Sequence, residues 1–173
     1  MSDQISFIAL NIAVLTVSDS RTEENDKSGD LLVNLAQKAG HIVIDKCIVP
    51  DNIYQIRDKI SHWIAAASVN VILTTGGTGV TGRDGTPEAI QPLLDKEIQG
   101  FGEIFRAISY QEISTSSLQS RALAGVANCT YLFCLPGSAG ACQTAWNSII
   151  EAQLDIRTKP CNLSMLIPRL GEK

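Results

Sequence analysis

Residues 71–88, VILTTGGTGVTGRDGTPE, constrain this chain more than any other stretch. Four residues suited to a buried strand, Val71, Ile72, Leu73 and Thr74, run into a loop with glycines at 76, 77, 79, 82 and 85. The loop carries Arg83 and Asp84 and closes on Thr86-Pro87-Glu88. That triplet predicts a helix start, with a capping hydroxyl, proline at the first helical position and an acid in the first turn. Strand, glycine loop, charged pair and helix start, in that order, is how α/β proteins build small-molecule sites at the carboxyl ends of strands.

The rest of the chain supplies the frame for that loop. Residues 11–17 are a continuous apolar run, as expected of a strand buried on both faces, and end in Ser18-Asp19. Ser28-Gly29-Asp30 opens a helix with Leu31, Leu32, Leu35, Ala36 and Ala39 on one side, stopped at Gly40. A second strand over 41–49 ends at Pro50-Asp51, with Asp51 as the expected cap of a helix striped by Ile53, Ile56, Ile60, Ile64 and Ala67. A third strand over 69–75 feeds the glycine loop, and a short helix over 87–94 follows it. Residues 99–113 read as a helix with Phe101, Ile104, Phe105 and Ile108 on one face. Residues 118–125 read as a short helical segment ended by Gly125. The fourth strand, 130–135, runs into Pro136-Gly137-Ser138-Ala139-Gly140 and a helix through Leu154.

Alternating strands and helices predict an α/β domain, a three-layer sandwich with a mostly parallel central sheet and helices on both faces. We expect one domain over 1–173, with an N-terminal arm (1–10) and an extended C-terminal tail (156–173) whose Met165-Leu166-Ile167 needs cover. The net charge of −4 and pI near 5.1 argue against a nucleic-acid or anionic-membrane footprint. Five cysteines, an odd number with no CxxC pair, read as reduced thiols of a cytoplasmic protein. The opening MSDQISFIAL lacks the features of a signal peptide, and no apolar run approaches the roughly 20 residues that span a bilayer.

In a parallel sheet all four strand ends lie on one edge. That edge gathers Ser18 and Asp19, Asp51, the glycine loop with Asp84, and the 136–140 loop. Residues 77–82 match GxGxxG, but after the third strand rather than the first, with Arg83 to Thr86 separating the last glycine from the helix. No acid-terminated strand follows about 20 residues on, so the dinucleotide reading fails. A P-loop fails too, since Arg83-Asp84 stands where Lys-Ser/Thr is required. What remains is two amide-rich loops able to cradle phosphate, at 76–79 and 136–140. Bare aspartates would repel phosphate. A divalent ion reconciles the two, because Mg²⁺ is commonly held by one or two carboxylates plus substrate phosphates. Metal-assisted phosphoryl or nucleotidyl transfer is therefore the expected chemistry. The bland alternatives are Asp51 as a helix cap, Asp19 as a turn residue and Asp84 as partner to Arg83. Arg21, Arg83 and Arg121 sit near loop ends and suit either anion binding or surface pairing. His41 and His62 read as edge or surface residues, and Trp63, Trp146, Phe101, Phe105 and Tyr110 as packing residues.

Residues 72–89, ILTTGGTGVTGRDGTPEA, closely resemble the signature of the molybdopterin adenylyltransferase family of molybdenum cofactor biosynthesis proteins. LTVSDSR (15–21), IVPD (48–51), LQSRALAG (118–125) and LPGSAGA (135–141) resemble its other blocks in order, and GFGEIFR (100–106) and RTKPCN (157–162) resemble its protein B branch. The resemblance spans about residues 10–160. It implies a three-layer α/β subunit, a trimer or dimer of trimers, in which Mg²⁺ and ATP adenylylate molybdopterin with release of pyrophosphate, ahead of molybdate insertion by another pathway enzyme. It places the two essential, metal-holding acids at Asp51 and Asp84 and a pterin-side serine at Ser120. Ser18, Asp19, Gly76, Gly77, Thr78, Gly79, Arg121, Pro136, Gly137, Ser138 and Gly140 complete the expected substrate and phosphate site. Some protein B members lack the acids; this chain keeps Asp19, Asp51 and Asp84, while Gly82 replaces a frequent proline. The competing readings are a non-catalytic molybdopterin-binding or carrier protein and a structural oligomerisation module.

Overall fold

The computed structural model describes residues 5–172. A six-stranded sheet runs β2-β1-β3-β6-β5-β4. Its parallel half is β1 (Asn11–Val17), β2 (Ile42–Val49), β3 (Val71–Thr75) and β6 (Thr130–Leu135). These are the four strands the apolar runs predict. Side chains alternate along each strand, so one sheet feeds two cores. On one face Ile12, Val14, Val71, Leu73, Tyr131 and Phe133 pack under α1 (Lys27–Lys38), α4 (Gln99–Ile113) and the helix beginning with α5 (Ala139–Ala145). On the other, Ala13, Leu15, Ile72, Leu132 and Cys134 pack under α2 (Ile53–Ala65) and α3 (Thr86–Ile90). The result is the expected three-layer sandwich. Each fully buried Leu, Ile or Val contributes roughly 1.5–3 kcal/mol to holding the layers together.

The helix after β6 continues from α5 through a π turn (Trp146–Ile150) into α6 (Glu151–Leu154). Trp146 and Trp63 are both core residues, as expected.

Residues 118–125 do not form the expected helix. Leu118 and Gln119 end a 3₁₀ turn (Ser114–Gln119), and β5 (Leu123–Ala127) is a fully buried strand antiparallel to β6. The two strands join through Asn128 and Cys129, both at positive φ (43° and 67°), the backbone of a tight two-residue hairpin. Asn-Cys carries no glycine, so the hairpin signal is absent from the sequence. The short β4 (Lys96–Glu97) closes this edge, and a β-carbon on Gly125 would lie 2.6 Å from Lys96 O.

Three further expectations shift. His41 leads into the edge strand β2 but is buried, not on the surface: its Nδ1 accepts from Leu10 N–H at 3.2 Å and its ring lies tilted against Phe7. Residues 1–4 of the arm lie outside the described residues, while Phe7 and Leu10 are docked through this contact. The tail is not extended. It turns into a 3₁₀ segment (Ser164–Arg169), tied back by Tyr131 Oη donating to Leu163 O (2.9 Å) and Ser164 Oγ to Leu154 O (2.6 Å). Ile167 packs on the core, and Met165 and Leu166 stay exposed.

Candidate active site

The carboxyl ends of β1, β2, β3 and β6 meet on one edge. There the chain forms two neighbouring cavities that share a single wall residue, Asp84. The first, about 460 Å³, is lined by Asp51, Asn52, Tyr54, Gln55, Arg83, Asp84 and Glu88 among others. The second, about 390 Å³, is lined by Gly77, Thr78, Gly79, Asp84, Ser120, Pro136, Gly137 and Ser138, together with Phe105, Ser109, Ser116 and Ser117.

Asp51 is not the helix cap the sequence suggests. Asn52 caps α2, its Oδ1 accepting from Tyr54 and Gln55 N–H at 3.0 and 3.1 Å. The Asp51 carboxylate is thereby left for the cavity, and its Oδ1 is buried with no hydrogen-bond partner. Burial first, then the nearby charges of Asp19 and Asp84, raise its pKa, with Arg83 acting the other way. Asp84 is pushed in the opposite direction. Its Oδ2 accepts from Thr81 Oγ1 (2.6 Å) and Thr81 N–H (2.8 Å), and the hydroxyl bond is the largest cause of its lowered pKa. A β-carbon on Gly79 would come within 2.7 Å of that same oxygen, so Gly79 is what lets the carboxylate lie against the loop. One carboxylate is thus held charged by donors, and its neighbour is crowded by like charge with an oxygen unused.

Several expected ligand residues turn out to build the site rather than line it. Gly76 N–H donates to Leu135 O (3.0 Å), so that amide is spent on the sheet; at φ +105° a β-carbon there would collide with Val17 O. Arg121 donates Nε to Gly79 O (2.8 Å) and Nη2 to Asp84 O (2.9 Å), and pairs with Glu88. Its backbone N–H adds a bond to Thr78 O (3.1 Å). It clamps the glycine loop instead of facing either cavity. Asp19 accepts from Asp51 N–H at Oδ1 (3.1 Å) and pairs with Arg83 through Oδ2, which makes it a brace between two strand ends. Ser18 Oγ accepts from Ser20 and Arg21 N–H in a local turn, and Gly140 lines neither cavity. Ser138 Oγ caps α5 through Ala141 N–H while bordering the second cavity.

The hydroxyls at Ser109, Ser116 and Ser117 were not among the expected site residues. The sole sequence signal for two of them is the polar break after the α4 stripe. Thiols shielded from water offer no alternative nucleophile: burial pushes Cys134 up to about 12, and Cys142 and the half-buried Cys47 to about 11. Among the described residues, no group of three or more His, Cys, Asp or Glu converges as a metal cluster. No helix among them is long and apolar enough to cross a membrane.

Residues 13–155 match the model of a family described as a probable molybdopterin binding domain. Molybdenum cofactor biosynthesis protein B of Escherichia coli K12 is 58% identical over 156 residues, covering 90% of this chain and 92% of that protein. The protein of the same name from Bacillus cereus is 47% identical over 142 residues, covering 82% and 84%. A crystal structure of a molybdenum cofactor biosynthesis protein B superposes with a TM-score of 0.86 at 41% identity, over 96% of this chain and 98% of that one. Sheet order, loop geometry and these likenesses agree: the chain belongs to the probable molybdopterin-binding domain family, alongside the molybdenum cofactor biosynthesis B proteins.

Proposed function

We propose that this molybdenum cofactor biosynthesis protein is a nucleotidyltransferase that adenylylates molybdopterin with Mg-ATP. The observation that carries the reading is Asp84 standing in the wall common to two cavities. Two substrates bound side by side would meet at that residue. The cavity holding Asp51 takes the triphosphate, and the hydroxyl-lined cavity with Ser120 takes the pterin phosphate. A terminal phosphate oxygen of molybdopterin attacks the α-phosphorus of ATP. The bond from that phosphorus to its bridging oxygen breaks, and pyrophosphate leaves with the electron pair.

The chain's own residues contribute position and fixed charge, as phosphoryl-type transfers require. Carbonyls of Gly77, Thr78 and Gly79 are occupied by Thr86 and Arg121 donors and the Gly79 amide serves the Asp84 carboxylate, so the loop keeps one shape and leaves the Gly77 and Thr78 amides for phosphate. The Asp51 carboxylate, at the wall of the first cavity and crowded by like charge, fits a cation, and Asp51 with Asp84 would hold Mg²⁺. That ion would neutralise phosphate charge in the transition state. The pair fits a hard ion that takes most of its ligands from water and phosphate.

Exposed apolar side chains on α4 and the 3₁₀ turn beside the site, Ile104, Tyr110, Ile113 and Leu118, suit self-association as a trimer or dimer of trimers. Five free cysteines suit a cytoplasmic location, where the activated pterin passes to a molybdate-inserting enzyme of the pathway.

The test is to incubate the purified protein with molybdopterin, ATP and Mg²⁺ and measure adenylylated product and pyrophosphate. We expect turnover that falls roughly 10²–10³-fold in Asp84→Asn. Full activity in that variant would overturn the assignment. Molybdopterin binding without ATP consumption would make the chain a carrier.

A further inference from the structure

Thr86 is completely buried, and its hydroxyl has no hydrogen-bond partner. The sequence suggests that this hydroxyl caps α3, but the cap position is Gly85 and no side chain caps the helix. Only the Thr86 backbone is engaged, its N–H donating to Gly77 O at 3.0 Å. A buried hydroxyl without a partner costs stability, and an isosteric valine would remove that cost. Retaining it there calls for a use.

The use is next to it. The other unpartnered buried oxygen at this edge is Asp51 Oδ1. Both flank the same point: a β-carbon on Gly77 would collide with Thr86 Oγ1 and come within 2.8 Å of Asp51 Oδ1. Gly77 sits at φ +65°, a conformation glycine adopts without strain, and its missing side chain leaves both oxygens bordering one small space beside the loop. A hydroxyl donates and a carboxylate accepts, so the pair is chemically matched. Asp51 has a second orienting contact, its own N–H on Asp19 Oδ1, but that fixes the backbone and not the carboxylate.

We propose that Thr86 is a positioning residue for Asp51: its hydroxyl donates to Asp51 Oδ1 across Gly77 when the substrates draw the strand ends together, and so fixes which carboxylate oxygen faces them. This rests on the adenylyltransferase reading above. The resting state leaves the bond open, at a cost in stability, and the bound state closes it. Thr74 is the comparison within the same protein. It too is fully buried with a hydroxyl that lacks a nitrogen or oxygen partner, but it lies within β3 against the Cys134 thiol of the paired strand.

The test compares Thr86→Val, Thr86→Ser and Thr74→Val for melting temperature with and without Mg-ATP, and for kcat and KM in adenylylation. Thr86→Val should melt about 3 °C higher than wild type without ligand, lose most of the Mg-ATP-induced rise in melting temperature, and show kcat reduced ~10–100-fold with KM for molybdopterin unchanged. Thr86→Ser should keep both the ligand-induced rise and kcat. Thr74→Val should gain stability with no loss of either. Wild-type kcat and ligand shift in Thr86→Val would overturn the proposal while leaving the adenylyltransferase reading intact. Equal losses in Thr86→Ser and Thr86→Val would overturn it as well, since the hydroxyl would then not matter. A wild-type protein with no turnover but a Mg-ATP shift lost only in Thr86→Val would support the positioning role and count against the reaction. A wild-type protein with neither would overturn both.

Discussion

Replacing Arg121 with alanine separates two roles that the same residue could play. A phosphate ligand would show itself in substrate affinity, and a loop clamp in stability and turnover. The guanidinium makes two charged-donor hydrogen bonds, to Gly79 O at 2.8 Å and Asp84 O at 2.9 Å. Bonds of that type are worth roughly 1.5–3 kcal/mol each, and the lower end applies because the side chain is 33% exposed. The pair with Glu88 adds little, since both partners reach solvent. Arg121→Ala should therefore lose about 3 kcal/mol, or a melting temperature some 6–12 °C lower for a chain of this length. With the carbonyls of Gly79 and Asp84 released, the loop that carries the Asp84 carboxylate loses its fixed place, so kcat should fall at least tenfold with KM for molybdopterin nearly unchanged. Arg121→Lys should not rescue, because one ammonium cannot span both carbonyls. Urea unfolding and steady-state turnover read both quantities. Unchanged stability with a raised KM, partly restored by lysine, would refute the clamp and return Arg121 to the pterin phosphate.

Other expectations follow from the same geometry. Asp51 ionises less readily in the folded chain than its ordinary value of 3.8. Its contribution favours folding below that value and is lost as pH rises through the higher folded value. Asp51→Asn removes this slope, so its stability gain over wild type should grow from pH 4 to pH 7 in urea titrations while turnover falls ~10²-fold. A gain independent of pH would count against the crowding of Asp51 by burial, Asp19 and Asp84. Gly76→Ala forces a β-carbon against Val17 O at φ +105° and should cost about 3–5 kcal/mol by urea unfolding. A loss under 1 kcal/mol would mean that the β1 and β3 ends are not packed as described.

The parallel half of the fold is legible in the chain because apolar runs of five to eight residues have few other places to go, and each one seen in sequence is a strand in space. The missed strand, β5, shows why local signals run out. LAGVA is short and rich in small residues, and its strand character comes from pairing with β6 and from two positive-φ residues that are neither glycine. His41 likewise gained its role from the arm that folds onto it.

At the site, residue chemistry by itself determined that acids and glycines gather at strand ends, because parallel strands all finish on one edge. The tertiary structure alone decided which atoms remain free there. Asn52 takes the cap of α2 and releases Asp51. The sheet takes Gly76 N–H, and the loop takes Arg121. Gly77 leaves Thr86 and Asp51 oxygens bordering the same space. Hydrogen-bond capacity is finite, and how it is shared is a property of atoms brought together from distant parts of the chain.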